Sequence, residues 1–295
     1  MVDIRQSIHF ANYLKRLGWT VERIAEINYF IRKFPIVGSI LKIQRPEEIN
    51  YDIINKLCRK YRVFQVILEP SLASGIGTFQ HDQLYAHGFK LSKSPYLPTK
   101  TLQIDLTQSQ KEIFRHFKKD ARSTLLRASP DGGVKTMIHR YSTPDEIKRW
   151  REAWKNSVNF KKFVPSEQQL LNLRKSFPGN YSLFLASHNP TTLKLRGTSI
   201  SGGAIFVRTK DIAYYWQGFT NNEGRTSLSQ YSLLYQGILW AKEMGCKVFD
   251  FEGIYDERFP NKSWLGFTHF KKSFGGKEVN FPGCYTKFRF PYFDR

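Results

Sequence analysis

The residues best equipped for chemistry in this 295-residue chain lie in one stretch near its C-terminal end, FDFEGIYDERFPNKSWLGFTHFKKSFGG, which begins at Phe249. Alternating apolar residues predict a strand over 247–252 that ends in two carboxylates, Asp250 and Glu252. The stretch closes on Phe270, Lys271 and Lys272, ahead of Gly275 and Gly276. An acidic strand end followed by an aromatic residue and two cations has the makings of a site. Each residue also has a plainer role: Phe270 as core, Lys271 with a buried stem and an ammonium reaching water, and Asp250, between Phe249 and Phe251, as an acceptor that fixes a loop.

Other candidates are spread along the chain. Glu69 precedes Pro70 where a mostly apolar strand over 63–69 stops, and the ends of strands in α/β sheets are where sites collect. Lys15 and Arg16 end a helix opened by Ser7; they either contact a ligand or complement the helix dipole. A helix opened by Ser109 buries Ile113, Phe117 and Ala121 and presents Lys118, Lys119, Arg122 and Arg127 outward. With 46 basic and 25 acidic residues, a net charge of +21, that face points to a polyanion, either nucleic acid or an anionic membrane surface.

Three well-separated cysteines and scattered histidines give neither a disulfide framework nor metal-ligand spacing, so no metal and no cofactor are expected. The N-terminal MVDIRQSIHF has no apolar signal region and no apolar run approaches ~20 residues. A cytoplasmic protein with at most peripheral membrane contact is expected.

The elements that must position these residues form two related α/β halves. Paired strands are predicted over 20–32 and 37–44, then a helix opened by Pro46, the 63–69 strand, a short helix over 81–87 closed by Gly88, and a strand over 101–106. Ser129–Gly133, SPDGG, reads as a linker. Thr143 with Glu146, and Ser166 with Gln169, are capping boxes for two helices. Strands follow from Tyr181, the last two joined by a tight turn over 208–211. Ser227 and Gln230 then cap a long helix that buries Leu234 and Ile238 and stops at Gly245.

An antiparallel meander, a long helix and another strand are the order found in GNAT-type N-acyltransferases. The coenzyme A pyrophosphate turn of those enzymes is glycine-rich, whereas NNEGRTSLSQ has only Gly224 at that place. The chain resembles the FemABX family of peptidoglycan interpeptide-bridge aminoacyltransferases, FemX-like and without the helical arm of some members. The resemblance is carried by QSIHFANYLKRLGW, FPIVGSILKIQRP, KKDARSTLLRASPDGGV, GCKVFDFEGI and FTHFKKSFGGKEVNFPG.

The resemblance implies an α/β (α+β) fold of two GNAT-like domains, each a mixed, largely antiparallel sheet flanked by helices. Residues 1–107 with 282–295 are expected to form the first domain and 108–281 the second. It implies transfer of an amino acid from aminoacyl-tRNA to the stem-peptide amine of a peptidoglycan precursor, lipid-linked or UDP-linked, by a monomer. Lys271 would offset negative charge at the tRNA terminus or oxyanion, Phe270 would stack on a terminal base, and Glu69 would accept the amine proton. Lys15 or Arg16 would hold precursor phosphate. Tyr215 matches the first tyrosine of a Tyr-x-Tyr strand, with Gln217 at the second position; Asp250 and Glu252 border the acceptor, Glu252 replacing a family glycine. Without the arm, tRNA would meet Lys118, Lys119, Arg122, Arg127 and Lys272. A coenzyme A-dependent N-acyltransferase and a non-catalytic RNA- or lipid-binding module are the competing readings.

Overall fold

A computed structural model describes residues 1–72, 78–128, 137–159, 162–188 and 200–289. The SPDGG linker lies outside the described residues. The chain forms two compact units. One comprises Val2–Thr101, Tyr255–Ser263 and the chain from Val279 onward; the other comprises Leu102–Ile254 and Trp264–Glu278. We call them the outer and inner units by their order in the sequence.

In the outer unit, Ser7 caps the helix Ile8–Arg16, its Oγ accepting from the Phe10 amide at 3.1 Å. Three strands follow where two were expected: β1 (Thr20–Ile24), β2 (Ile27–Phe34) and β3 (Gly38–Gln44). The extra turn falls at Ala25 and Glu26, with φ of +47° and +65°. Neither residue is a usual signal for that left-handed conformation, so the sequence hides the turn. The helix expected from Pro46 begins instead at Tyr51 and runs to Tyr61, because the Asn50 side chain accepts from the Ile53 amide and satisfies the helix start. It is a crossover to β4 (Val63–Glu69), which pairs parallel to β3. The C-terminal strand Tyr285–Phe288 lies antiparallel between β4 and β5 (Lys90–Leu91). Tyr29, Ile31, Leu41, Val66, Leu68 and Tyr285 are central to this core.

The inner unit repeats the plan. Its strands are β6 (Lys100–Asp105), β7 (Met137–Tyr141), β8 (Ser182–His188), β9 (Ile200–Arg208), β10 (Ile212–Thr220), β11 (Val248–Asp250) and β12 (Lys277–Asn280), in the order β12-β6-β11-β10-β9-β8-β7. β10 and β11 pair parallel, joined by the long helix Ser229–Glu243. The strand that sequence placed at the end of the first half, β6, is thus antiparallel to β11.

Two helix expectations change. The single helix from Ser109 is two, Gln110–His116 and Lys119–Arg127, broken where Phe117 and Lys118 are extended and the Lys118 amide donates to the Ser273 carbonyl at 2.7 Å. Ile113, Phe117 and Ala121 are buried as expected. The long helix is not capped by Ser227: Leu228, at φ +54°, precedes it, and Gln230 donates to the Gly203 and Phe219 carbonyls. Both capping boxes, Thr143 with Glu146 and Ser166 with Gln169, form.

Candidate active site

The chemistry of the inner unit gathers where β11 ends. Lys271 belongs to the helix Leu265–Lys272 and is 8% exposed. Its ammonium donates to the Phe251 carbonyl at 2.7 Å and the Gly253 carbonyl at 2.6 Å, the backbone that leaves the strand. It lies 4.9 Å from the ring centroid of Phe267 and 5.6 Å from that of Tyr215. Desolvation pushes its pKa down to about 8, against the upward pull of the Glu252 and Asp250 carboxylates. The result is a cation held on carbonyl dipoles and ring faces in place of water.

The expected clamp of Phe270 with Lys271 divides. Successive helical residues are ~100° apart, so the two side chains leave the helix in different directions. Phe270 packs edge-on against Tyr231 at 4.9 Å and Phe274 at 5.6 Å, at the margin of the core. Phe267, one turn before Lys271 and 37% exposed, takes the place beside the cation. The i, i+4 spacing was the available signal for it.

Asp250 is 4% exposed. One of its oxygens accepts from the Glu252 amide at 2.6 Å and the other from Gln103 Nε2 at 2.8 Å. It therefore fixes the exit of β11. Glu252 has φ +68°, the left-handed region that a family glycine would occupy without strain. Lys272 forms a surface pair with Glu278.

Tyr215 and Gln217 do not act from one face. Tyr215 is opposite Phe206, and Gln217 is opposite Ile205, with Trp216 the extra residue of a bulge. Phe206 and Ile205 are consecutive in β9 and point to opposite faces, so Tyr215 and Gln217 do as well. Tyr215 goes to the Lys271 side, its hydroxyl seated against Gly218, and burial drives its pKa upward.

The coenzyme A turn has no open cradle. The Gly224 amide is taken by Asn221 Oδ1 at 2.8 Å, and a Cβ on Gly224 would stand 2.2 Å from the Ser201 carbonyl oxygen. Lys118, Lys119 and Arg127 are exposed and Arg122 is half-buried. Lys119, Arg122 and Arg127 fall within ~140° of arc on the side of the helix opposite buried Ala121, Thr124 and Leu125, with Lys118 at the N-cap, so the cations lie on the outward face.

In the outer unit, Glu69 is 1% exposed and occupied by the fold. One carboxylate oxygen accepts from the Tyr96 and Leu97 amides at 3.0 and 2.6 Å, the other from Gln44 at 2.9 Å. It anchors the 96–97 backbone to the end of β4. Lys15 and Arg16 are exposed on the last turn of their helix. A 950 Å³ pocket, unforeseen from sequence, is walled by Leu72, Leu91, Phe259 and Phe281 and carries His81, Lys93 and Arg258. Arg258 is oriented by Asp256, at 2.7 Å, and by the Thr99 and Phe281 carbonyls. Burial opposes ionisation of Asp256, but the Arg258 guanidinium and Thr99 hydroxyl hold its carboxyl below the usual range.

No protein-family model matches the chain, and no curated protein matches it in sequence. Solved structures do match. The crystal structure of FemX aligns over 97% of this chain and 92% of its own, with a TM-score of 0.80 at 16% identity. The C-terminal domain of a putative lysylphosphatidylglycerol synthetase from Agrobacterium fabrum covers 96% of this chain and 88% of its own, with a TM-score of 0.60 at 13% identity. A tandem GNAT protein from the clavulanic acid biosynthesis pathway covers 95% and 87%, with a TM-score of 0.54 at 10% identity. With its two mixed sheets, each containing one parallel crossover pair flanked by helices, the chain has a FemABX-like fold.

Proposed function

We propose that the chain is an aminoacyltransferase that moves an amino acid from aminoacyl-tRNA to the stem-peptide amine of a peptidoglycan precursor. The observation that carries this reading is Lys271: a buried ammonium fixed by the Phe251 and Gly253 carbonyls at the end of β11, in a FemABX-like fold. Its third N–H has no acceptor among the described residues and can donate to a developing oxyanion.

An aminoacyl ester is already activated, so the protein must mainly position and stabilise. The neutral acceptor amine attacks the ester carbonyl carbon; the C–N bond forms and the carbonyl π pair moves to oxygen, where Lys271 offsets the charge. On collapse the C–O bond to the ribose breaks, and the ribose oxygen receives the proton that the amine loses. Phe267 and Tyr215 exclude water from the ammonium, which strengthens its field at the reacting oxygen. Glu69, with both oxygens already engaged, serves this scheme by positioning backbone, not as the proton acceptor. The exposed Lys118, Lys119, Arg127 and Lys272 and the half-buried Arg122 suit a tRNA backbone.

A lipid acceptor is the second reading, favoured by the likeness to lysylphosphatidylglycerol synthetase structures. A coenzyme A donor is disfavoured by the occupied Gly224 amide. The test incubates the protein with charged tRNA pools and, in separate arms, lipid-linked muropeptide, UDP-linked muropeptide or phosphatidylglycerol, then measures product mass. One added residue on a muropeptide, lost in Lys271→Met, is expected. Addition to phosphatidylglycerol alone selects the second reading, and no addition from any tRNA pool refutes both.

A further inference from the structure

The turn between β2 and β3 places apolar side chains in water at a cost that folding does not recover. Ile36 is 92% exposed, Val37 58% and Phe34 40%. Ile36 also has φ +71°. A β-branched residue in the left-handed region is strained, and one so exposed gains little from burial in return. An Asn or Gly there would suit both the backbone and the solvent.

The turn is tied to a neighbouring helix and bordered by cations. The Ser39 amide donates to the Arg62 carbonyl at 3.0 Å, and the Phe34 and Phe64 rings lie 6.2 Å apart, which ties the turn to the end of the Tyr51–Tyr61 helix. Lys33, Arg59 and Arg62 are exposed around it. Neither residues 27–46 nor residues 53–68 contain an Asp or Glu. Both segments that build the tip therefore carry cations alone, and the Glu22 carboxylate of β1 beside them is engaged by Lys60 and Tyr61.

We propose that this turn is a membrane wedge: Phe34, Ile36 and Val37 enter the headgroup and upper acyl region of a bilayer, and Lys33, Arg59 and Arg62 bind its anionic phospholipids. The most exposed residues of the turn, Ile36 and Val37, favour lipid over RNA, because they offer neither a π face for a base nor a polar atom for a phosphate, whereas hydrocarbon rewards both. The cations supply the electrostatic half of a two-part anchor. The proposal does not rest on the transferase reading.

The test is co-sedimentation of the full chain with vesicles of phosphatidylcholine alone or mixed equally with phosphatidylglycerol, at low and high salt. The wild type is expected to bind the mixed vesicles at least tenfold more tightly. Ile36→Gly should weaken binding about tenfold while leaving Tm equal or higher, since it removes both the wedge and the strain. Lys33→Gln should weaken binding about fivefold, and Val37→Ser provides a second apolar variant should Ile36→Gly alter the fold. Absence of vesicle binding overturns the proposal. So does binding unchanged by both apolar variants, which leaves surface charge alone, or binding of tRNA that is weakened by the same apolar variants.

Discussion

If Lys271 acts as a cation, the pH dependence of transfer carries its signature. Its pKa is about 8 against an ordinary 10.5, because burial strips water from the ammonium. That difference corresponds to about 3 kcal/mol between the two protonation states. At pH 7 the cation outnumbers the neutral amine about tenfold, and at pH 9 the ratio is reversed. The acceptor amine also titrates, so the quantity to measure is the ratio of kcat/KM for wild type and Lys271→Met across pH 6 to 10. The ratio should be about a hundred near pH 7 and fall about tenfold between pH 7 and 9. Lys271→Arg, if it folds with its guanidinium in the same place, should hold its ratio flat over that range. A ratio that rises through pH 8 would make Lys271 a base, and a ratio near one at pH 7 would remove it from the chemistry.

Stability gives an independent check with a definite sign. Between pH 8 and 10.5 the unfolded chain binds the Lys271 proton and the folded chain does not, so wild-type stability should rise with pH over that window, by at most about 3 kcal/mol. The variant lacks this rise and leaves two carbonyls without their donor, at about 1–3 kcal/mol each. The two effects oppose one another at pH 7 and separate at pH 10, where wild type should be clearly more stable. Urea unfolding at the two pH values measures the difference.

Glu252→Gly should stabilise the chain by about 1 kcal/mol, since the residue sits at φ +68°; a lower Tm would contradict the strain, and a changed acceptor preference would show that Glu252 also touches substrate. Gly218→Ala should fold yet lose about tenfold in kcat/KM, because its Cβ would stand 2.1 Å from the Tyr215 hydroxyl and displace that ring from Lys271; an unchanged rate removes Tyr215 from the site. Glu69→Gln should cost about 1–3 kcal/mol, as its amide would face the Gln44 amide. Transfer per folded molecule should stay within a few-fold, and a hundredfold loss would restore Glu69 as the proton acceptor.

Much of the frame was legible because it is written in local chemistry. Ser7, Thr143, Ser166 and their partners satisfy backbone amides three residues away, so their helix starts can be read directly. Elements whose cause is distant were misplaced. The break at Phe117 and Lys118 depends on the Ser273 carbonyl, and the turn at Ala25 and Glu26 is made by residues with no preference for it.

The sequence by itself determined that Lys271 stands among aromatics near an acidic strand end, that the chain is strongly basic, and that its elements make two α/β sets. Residue type, charge and short-range period require no knowledge of the fold. Tertiary structure decided which groups meet. It joined Lys271 to the Phe251 and Gly253 carbonyls, turned Phe270 against the margin of the core and Phe267 toward the cation, and engaged both oxygens of Glu69 and of Asp250. A single bulged residue, Trp216, put Tyr215 and Gln217 on opposite faces. A strand's side chains alternate with a period of two, so one extra residue reverses every assignment beyond it, and only the pairing with a neighbouring strand reveals that it is there.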